Sequence, residues 1–395
     1  MIDHTPSIDD LLPTIEHHLA EAWGGPVRLT QPEALQERDY VTRLTVLEAP
    51  PGAPTHVIVK RSRLQDGQTY DPDSIDPYSP AQNLFDDWAG LQFLSEAAGD
   101  LALAPRFYVG DRTRGWFVME DLGEGSSPDK ALLDVDPIAA SASLLDIMRC
   151  LGQMHARTIG RQNEHHHVRA ALGPVVVDAS RFTRLAPALR ELLGALALTP
   201  HPGTIDDVNQ VIAALTDPGP FLAFTHGDPC PDNWRRTADG QLRLFDFERG
   251  RFRHALLDGV YGTIHFPTCW CVGHIPAEIV TQMETTYRAE LICGCPAAAD
   301  DGLFQRAVVD ACAFWVLRWA TSEWRGALQI LEEDVTWGLA TVRQRFLRRA
   351  DIFTQLTQTS GYLEALGATF ADLAQHLRAR WPAEADTWPP YPAFA

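Results

Sequence analysis

The feature that most constrains the fold is a change of pattern near residue 120 of this 395-residue chain. Before it, alternating apolar segments such as LTVLEA and THVIVKR predict strands, with one helix after them. The segment GWFVMEDLGEG, residues 115–125, reads as a strand that enters a glycine-punctuated connection, and the sequence after it is mainly helical. We therefore predict an α+β protein with a small β-rich N-terminal lobe, residues 1–122, and a large mainly helical C-terminal lobe, residues 123–395.

A strand and a helix in the first lobe carry polar residues at buried positions. In THVIVKR, Val57 and Val59 fall on one face of the predicted strand, and Lys60 falls on the other, next to an apolar residue. Ser79 is a good N-cap for the following helix, which has a proline at its first position. Asp87 borders the apolar stripe of that helix, so we expect it to avoid open water.

A polar stretch, FTHGDPCPDNW at residues 224–234, precedes the segment LRLFDFERG. Asp239 and Gly240 between them form a strong two-residue hairpin signal. In such a hairpin Asn233 and Asp246 face each other, and their side chains offer the hard oxygen atoms that suit Mg²⁺. One more residue in the turn would shift this pairing.

A second carboxylate, Asp228, lies five residues before Asn233 on a loop that contains two prolines. A divalent metal beside an extra carboxylate suits phosphoryl transfer, because the metal neutralises phosphate charge while the carboxylate orients the attacking hydroxyl. The alternative interpretation is a cluster of Asx turns that caps the hairpin.

The pattern H-G-D-x-x-x-x-N followed by D-F-E resembles the catalytic loop and metal-binding segment of the aminoglycoside phosphotransferase family, small-molecule relatives of protein kinases. The resemblance extends over about residues 40–261. It implies a bilobal protein-kinase-like fold that uses ATP and Mg²⁺. It also implies that Asp228 is the catalytic base or orienting residue, that Asn233 and Asp246 bind Mg²⁺, and that His226 is structural.

The same resemblance assigns the nucleotide site. Lys60 is similar to the strand lysine that pairs with the α- and β-phosphates, whereas without the later motif it would be interpreted as an ordinary surface lysine at a strand end. Asp87 stands where the family has a glutamate, and because it is one methylene shorter we expect a looser or water-bridged pair. The backbone C=O of Glu120 and N–H of Leu122 are expected to meet the adenine edge. Asp258 is expected to be a buried brace for the catalytic loop.

The phosphate-covering turn departs from the family. Where a small-residue turn is usual, this sequence has EALQERDYVTRL, which contains no glycine. Arg38 in this segment either contacts phosphate or is a solvated arginine.

Seven cysteines in a sequence without a recognisable export signal predict free thiols in a reducing compartment. A C-x-C pair at residues 269–271, a second at 293–295 and His274 allow a zinc site. Structural zinc prefers cysteines two to four residues apart, so the spacing favours buried thiols.

A late helix carries Trp315, Trp319 and Glu323 at intervals of four residues, which places them in one stripe. The stripe is either part of the core or a wall that holds a sugar face or an ammonium group. The second interpretation makes Trp319 and Glu323 candidate acceptor-binding residues.

The net charge of −19 argues against nucleic acid and anionic membrane surfaces as partners. It is compatible with an amine-bearing acceptor, and the alternative interpretation is a generic acidic surface. No apolar run is long enough to span a bilayer, so we expect a cytoplasmic protein.

The sequence thus predicts an ATP- and Mg²⁺-dependent kinase of a small-molecule hydroxyl, on an amino sugar, aminoglycoside, other antibiotic or metabolite. The alternative is a catalytically silent kinase-like nucleotide-binding module. A protein kinase is disfavoured, because Asp258 follows Asp246 of LFDFERG by only about a dozen positions, which is too short for a peptide-docking loop. The oligomeric state is left open.

Overall fold

The computed structural model describes residues 7–395 except 31–32, 35–39, 66–67, 98, 100, 177–179, 322–326 and 384–387. The helices are α1 (Ile8–Trp23), α2 (Pro80–Ala97), α3 (Pro128–Leu133), α4 (Pro137–Thr158), α5 (Gln162–Leu172), α6 (Ser180–Thr183), α7 (Leu185–Ala195), α8 (Thr204–Thr216), α9 (Leu256–Gly259), α10 (Ala277–Leu291), α11 (Asp301–Thr321), α12 (Ala327–Glu332), α13 (Val342–Ser360) and α14 (Glu364–Arg380). The strands are β1 (Arg28–Leu29), β2 (Glu33–Ala34), β3 (Val41–Glu48), β4 (His56–Arg61), β5 (Phe107–Asp111), β6 (Trp116–Glu120), β7 (Leu222–Thr225), β8 (Trp234–Arg236), β9 (Leu242–Leu244), β10 (Arg251–His254), β11 (Thr336–Trp337) and β12 (Ala340–Thr341).

The protein forms two compact units, each built from more than one segment. The first contains the segments Met1–Ser126, Arg161–Val177 and Asn233–Arg251. The second contains Ser127–Gly160, Asp178–Asp232 and Phe252–Ala395. This division differs from a single boundary after residue 122, because two later segments return to the first unit.

Specific bonds hold the two returning segments in the first unit. In α5, the Arg169 side chain donates to the Asp86 carboxylate of α2 at 2.7 Å. The β8–β9 hairpin is tied down by backbone hydrogen bonds of 2.8 Å, from Arg236 N–H to Ser126 C=O and from Leu244 N–H to Leu103 C=O. Contacts of this kind join residues far apart in the sequence, so a linear boundary could not be read from composition.

The first unit is built on a six-stranded antiparallel sheet with the strand order β1-β3-β4-β6-β5, and β2 pairs separately with β3. Helix α1 covers one face of this sheet. The buried cluster between them contains Ile8, Leu11, Ile15, Leu19, Leu44, Val57, Val59, Trp116 and Val118. Val57 and Val59 therefore share a face, as the alternation in THVIVKR predicts.

Helix α2 begins at Pro80, and the Ser79 hydroxyl oxygen accepts from the backbone N–H of Gln82 at 3.3 Å. The predicted helix start is therefore confirmed. Trp88 of α2 packs its ring against Phe107 and Phe117 of the sheet, with centroid distances of 5.4 and 6.2 Å. This packing fixes α2 close to the sheet and buries the acidic residue that precedes Trp88.

The second unit is mainly helical. Helices α4 and α10 pack closely at Gly152, where a Cβ atom would lie only 2.7 Å from the Tyr287 carbonyl oxygen. Helix α11 contacts α7, α8, α9 and α13, and α13 packs along α14. The short strand β7 pairs with β10 and leads directly into the polar stretch.

The α+β class is confirmed, with the strand-rich elements mostly in the first unit and a helix-rich remainder. Within the described part of the protein, every helix is too short or too polar to cross a bilayer.

Candidate active site

Lys60 of β4 lies between two carboxylates of the first unit. Its Nζ atom is 2.5 Å from Asp87 Oδ2, and it also donates a hydrogen bond to Asp246 Oδ1. The exposed fractions are 12% for the Lys60 side chain, 4% for Asp87 and 28% for Asp246. Because the contact with Asp87 is direct, the expectation of a loose or water-bridged pair is wrong. Close packing of α2 on the sheet compensates for the shorter side chain.

The two carboxylates of this cluster stabilise the positive charge of Lys60. Burial by itself lowers the pKa of Lys60, but the negative charges of Asp246 and Asp87 outweigh it and raise the pKa above its ordinary value. Burial raises the pKa of Asp87 to about 6, although Lys60 and the backbone N–H of Phe247 act in the opposite direction. Lys60 is therefore a protonated, well-held cation at neutral pH.

The hairpin that carries the proposed metal ligands has a different register from the predicted one. Arg236 pairs with Leu242, and Thr237 N–H donates to Gln241 C=O at 2.9 Å, so the turn contains three residues. Gly240 takes the left-handed conformation that such a turn requires, with φ +83°. The prediction of a two-residue turn is therefore wrong by one residue.

The shifted register moves Asp246 off the position opposite Asn233. The backbone C=O of Asn233 instead accepts from Phe245 N–H at 3.1 Å. Asp246 follows with φ +73°, a left-handed conformation that is unusual for an aspartate. The next residue, Phe247, donates its N–H to Asp87 Oδ1 at 2.7 Å. This contact anchors the segment where the Asp246 carboxylate meets Lys60.

Asn233 and Asp246 fit a magnesium site by the chemistry of their donor atoms. Both belong to the first unit, on either side of one hairpin, and they offer an amide oxygen and a carboxylate. Mg²⁺ commonly takes one or two protein ligands and completes its shell with phosphate and water. In the described residues no group of three or more His, Cys, Asp or Glu side chains is arranged to hold a metal, so the zinc alternative gains no support.

The Asp228 loop belongs to the second unit and is braced by Asp258. His226 is fully buried, and its backbone N–H donates to Asp258 Oδ2 at 2.6 Å. Gly227 N–H donates to Asp258 Oδ1 at 3.1 Å. The Nδ1 atom of His226 accepts from Asp228 N–H at 3.2 Å. Asp258 is fully buried, as predicted, and it fixes the backbone immediately before Asp228.

Neighbouring groups favour the charged form of the buried Asp258 carboxylate. Burial raises the pKa of Asp258, but the neighbouring His155 ring, whose Nε2 lies 3.7 Å from Asp258 Oδ2, and the charge of Arg253 hold that pKa below the ordinary value. The ring of His155 is in turn fixed by Tyr287, whose hydroxyl lies 2.8 Å from Nδ1.

Two features of the loop were missed by sequence reasoning. The Thr268 hydroxyl donates to Asp228 Oδ1. Cys230 forms a disulfide with Cys269, with a Cα–Cα distance of 5.4 Å. The prediction of seven free thiols is therefore wrong for this pair, and the cysteines outside a disulfide are Cys150, Cys271, Cys293, Cys295 and Cys312. A cysteine inside the polar stretch was the available signal, but spacing cannot identify its partner.

The predicted adenine-binding segment follows β6. Glu120 ends that strand, and its side chain accepts from Arg243 at 2.7 Å and from the Arg106 backbone N–H at 3.0 Å. Asp121 accepts from Arg43 at 2.6 Å, and Leu122 is half-buried in the connection that follows. These ion pairs fix the start of the connection, while the adenine contacts of Glu120 and Leu122 stay predictions.

The first member of the late aromatic stripe lies in the core. Trp315 is buried, and its Nε1 donates to the Leu257 carbonyl at 2.9 Å. Trp319 stacks on Phe346 of α13 with a centroid distance of 3.7 Å. Its acceptor-binding role stays a prediction, and Glu323 and Arg38 lie outside the described residues.

No protein-family model matches the sequence, and no curated protein matches it. Solved structures similar to it include a choline kinase from Cryptosporidium parvum, with 12% identity, TM-score 0.48, and coverage of 92% of this protein and 99% of that one. An aminoglycoside phosphotransferase from Alicyclobacillus acidocaldarius has 14% identity, TM-score 0.43, and coverage of 88% and 93%. A macrolide 2′-phosphotransferase from Brachybacterium faecium has 15% identity, TM-score 0.41, and coverage of 87% and 98%.

Proposed function

We propose that this protein is an ATP- and Mg²⁺-dependent phosphotransferase of the protein-kinase-like, small-molecule type. It would transfer the γ-phosphoryl group of ATP to a hydroxyl of a small molecule. The observation that carries the proposal is the buried contact of Lys60 with Asp87 and Asp246. Residues from a strand, a helix and the D-F-E segment, far apart in sequence, meet there in the combination that the motif resemblance implies.

The first unit would supply the nucleotide site. Lys60 keeps its positive charge, so it can pair with phosphate oxygens, and Asp87 fixes the direction of its side chain. Asn233 and Asp246 would hold Mg²⁺, which neutralises phosphate charge when bound. The backbone groups of Glu120 and Leu122 would meet the adenine edge.

Asp228 would act on the acceptor. Its carboxylate accepts the proton of the acceptor hydroxyl as the hydroxyl oxygen bonds to the γ-phosphorus. The bond from the γ-phosphorus to the β,γ-bridging oxygen breaks, and the electron pair leaves with ADP. The backbone bonds that Asp258 makes to residues 226 and 227 prevent the loop from moving away during this step.

The acceptor class is narrowed by charge. The protein has 52 acidic and 33 basic residues, a surplus that favours cationic small molecules over anionic ones. We therefore propose an amine-bearing alcohol, such as an amino sugar, an aminoglycoside or an amino alcohol. The test is a coupled assay of ADP formation with panels of these compounds, of macrolides and of neutral sugars. Turnover with a neutral sugar and none with any amine would contradict the proposed class.

The nucleotide site can be tested separately, because the protein has two lysines, Lys60 and Lys130. An ATP acyl-phosphate probe acylates a lysine amine that lies beside bound phosphates. We expect labelling of Lys60 but not of the exposed Lys130, with loss of labelling in excess ATP, as read by peptide mass spectrometry. If both lysines were labelled and excess ATP did not reduce the labelling, the assignment of Lys60 to the nucleotide site would be contradicted.

The same two measurements separate the enzyme from a silent nucleotide-binding module. Lys60 labelling without ADP formation on any acceptor would favour the module. The direct contact of Lys60 with Asp87 removes one reason for suspecting it, since the shorter aspartate does not loosen the pair.

A further inference from the structure

We infer that Thr268 is a positioning residue for Asp228, and that the Cys230–Cys269 disulfide holds the two segments in that arrangement. The inference rests on the proposed function, which gives Asp228 the proton of the acceptor hydroxyl. It adds a covalent, reducible element to that site.

Two neighbouring hydroxyl groups, those of Thr268 and Tyr261, lie beside the Asp228 loop. Thr268 donates to Asp228 Oδ1, and its own oxygen lies 3.1 Å from the Tyr261 hydroxyl. The Tyr261 hydroxyl also donates to the Gly227 carbonyl at 3.3 Å. A donor fixed on one carboxylate oxygen restricts rotation of the Asp228 side chain. Thr268 therefore determines the direction in which the carboxylate faces a bound hydroxyl.

The segment that carries Thr268 is rigidly held by helix α13. Arg345 donates to the carbonyl oxygens of Cys269 and Trp270 at 2.6 and 2.7 Å. Arg349 donates at 3.1–3.2 Å to the carbonyl oxygens of the three residues 264–266. Backbone carbonyls fixed on both sides leave Thr268 little freedom, so its hydroxyl is a stable reference point for Asp228.

The disulfide joins the two sides of this contact. Cys230 follows Asp228 by two residues, and Cys269 follows Thr268 directly. Their Cα–Cα distance of 5.4 Å is ordinary for a disulfide. While the bond is intact, Thr268 and Asp228 cannot move far apart. A dithiol reductant supplies two electrons and two protons, converts Cys230 and Cys269 to thiols, and itself becomes a cyclic disulfide.

Two substitutions test the hydroxyl directly. Thr268→Val keeps the shape but removes the donor, and Thr268→Ser keeps the donor. We expect Thr268→Val to lower kcat about 10- to 100-fold with the KM for ATP within about twofold, because a misdirected group impairs the chemical step more than binding. Thr268→Ser is expected to stay within about threefold of wild type in kcat. Equal kcat values for wild type and Thr268→Val would overturn the positioning role.

The disulfide is tested by thiol counting and by reduction. Alkylation of the denatured, unreduced protein is expected to modify the five free cysteines, and dithiothreitol should expose two more. Reduction should lower kcat several-fold in wild type but not further in the Cys230→Ser/Cys269→Ser variant. Cys293→Ser, at an exposed free cysteine, is the matched control and should respond like wild type. Seven modified cysteines before reduction, or unchanged kcat after it, would overturn the role of the disulfide.

Hydrogen–deuterium exchange separates this inference from the proposed function. The peptide covering residues 224–234 should exchange faster in Thr268→Val and in reduced protein than in wild type or Thr268→Ser. Wild type that forms no ADP with any acceptor refutes the function, whereas unchanged exchange in all four samples refutes the arrangement of Thr268, Asp228 and the disulfide.

Discussion

Two buried aspartates, Asp87 in the first unit and Asp258 in the second, stabilise neighbouring functional groups in different ways. Asp87 balances the charge of Lys60, and burial still raises its pKa to about 6. Asp258 accepts from two backbone N–H groups beside a buried histidine, and its pKa lies below the ordinary value. Burial alone therefore does not decide the direction of a pKa shift, because the number and type of partners also decide it.

The two regions also differ in what they hold. In the first unit, ion pairs arrange a cation and carboxylates, which suits the binding of phosphate and metal. In the second, backbone hydrogen bonds and a disulfide hold a short loop, which suits the orientation of one reacting carboxylate. We expect substitutions in the first region to affect nucleotide binding and stability together. Substitutions of Asp228 should affect turnover alone.

The largest expected effect is on Asp228. Asp228→Ala should lower kcat by at least about 10³-fold, since it removes the group that accepts the proton, while the Kd for ATP stays within about threefold. Calorimetric titration and the ADP assay measure the two quantities. Asp232→Asn, in the same loop, is the matched control and should lose less than about tenfold. Wild-type turnover in Asp228→Ala would refute the mechanism.

Lys60→Met should be next in size. It removes the counter-ion of Asp87 and Asp246, so we expect about 100-fold lower kcat/KM for ATP and a loss of about 2–4 kcal/mol in the free energy of unfolding. Lys130→Met, at the other lysine, should change neither. Denaturant unfolding of Lys60→Met/Asp87→Leu should show partial recovery of stability without recovery of activity. A Lys60→Met protein as stable and active as wild type would contradict the role of this pair in nucleotide binding and stability.

Asp258→Asn should have a smaller effect with a distinct pH dependence. A carboxylate whose folded pKa is depressed stabilises the protein above its unfolded pKa, and that contribution disappears as the pH falls through the folded value. Wild type should therefore be more stable than Asp258→Asn by about 1–3 kcal/mol near pH 7, and the difference should shrink below about pH 4. Urea unfolding of both proteins across this range measures it. A difference that grows in acid would contradict the depressed pKa of Asp258.

The smallest effect is expected at Asp310, a third buried aspartate, which lies in the second unit. It is buried, accepts from the Tyr362 hydroxyl at 3.0 Å, and burial raises its pKa to about 7. Between about pH 4 and 7 the folded state binds the extra proton, so the free energy of unfolding should fall as pH rises. Asp310→Asn should be more stable than wild type at pH 8, by about 1 kcal/mol, and show a flatter profile. Parallel pH profiles for the two proteins would contradict the raised pKa.

Much of the secondary structure could be predicted locally. The N-cap Ser79, the two faces of the strand that carries Lys60 and the burial of Asp87 all follow from residue type and periodicity. The hairpin was predictable too, but its register was not. A three-residue turn and a two-residue turn both tolerate Asp239-Gly240, and hydrogen bonds to distant backbone groups determine which one forms.

Local sequence patterns were enough to predict the α+β class, the candidate residues Lys60, Asn233 and Asp246, and the polar loop around Asp228. These follow from patterns within a few turns of the backbone, where local geometry and residue chemistry suffice. Tertiary packing was needed to show that Asp87 contacts Lys60 directly, that the hairpin belongs to the first unit, and that a disulfide and Thr268 flank Asp228. The contacts behind these findings join residues that are at least 27 positions apart in the sequence, and in the hairpin more than 100. Their proximity depends on the packing of whole elements, which no local pattern specifies.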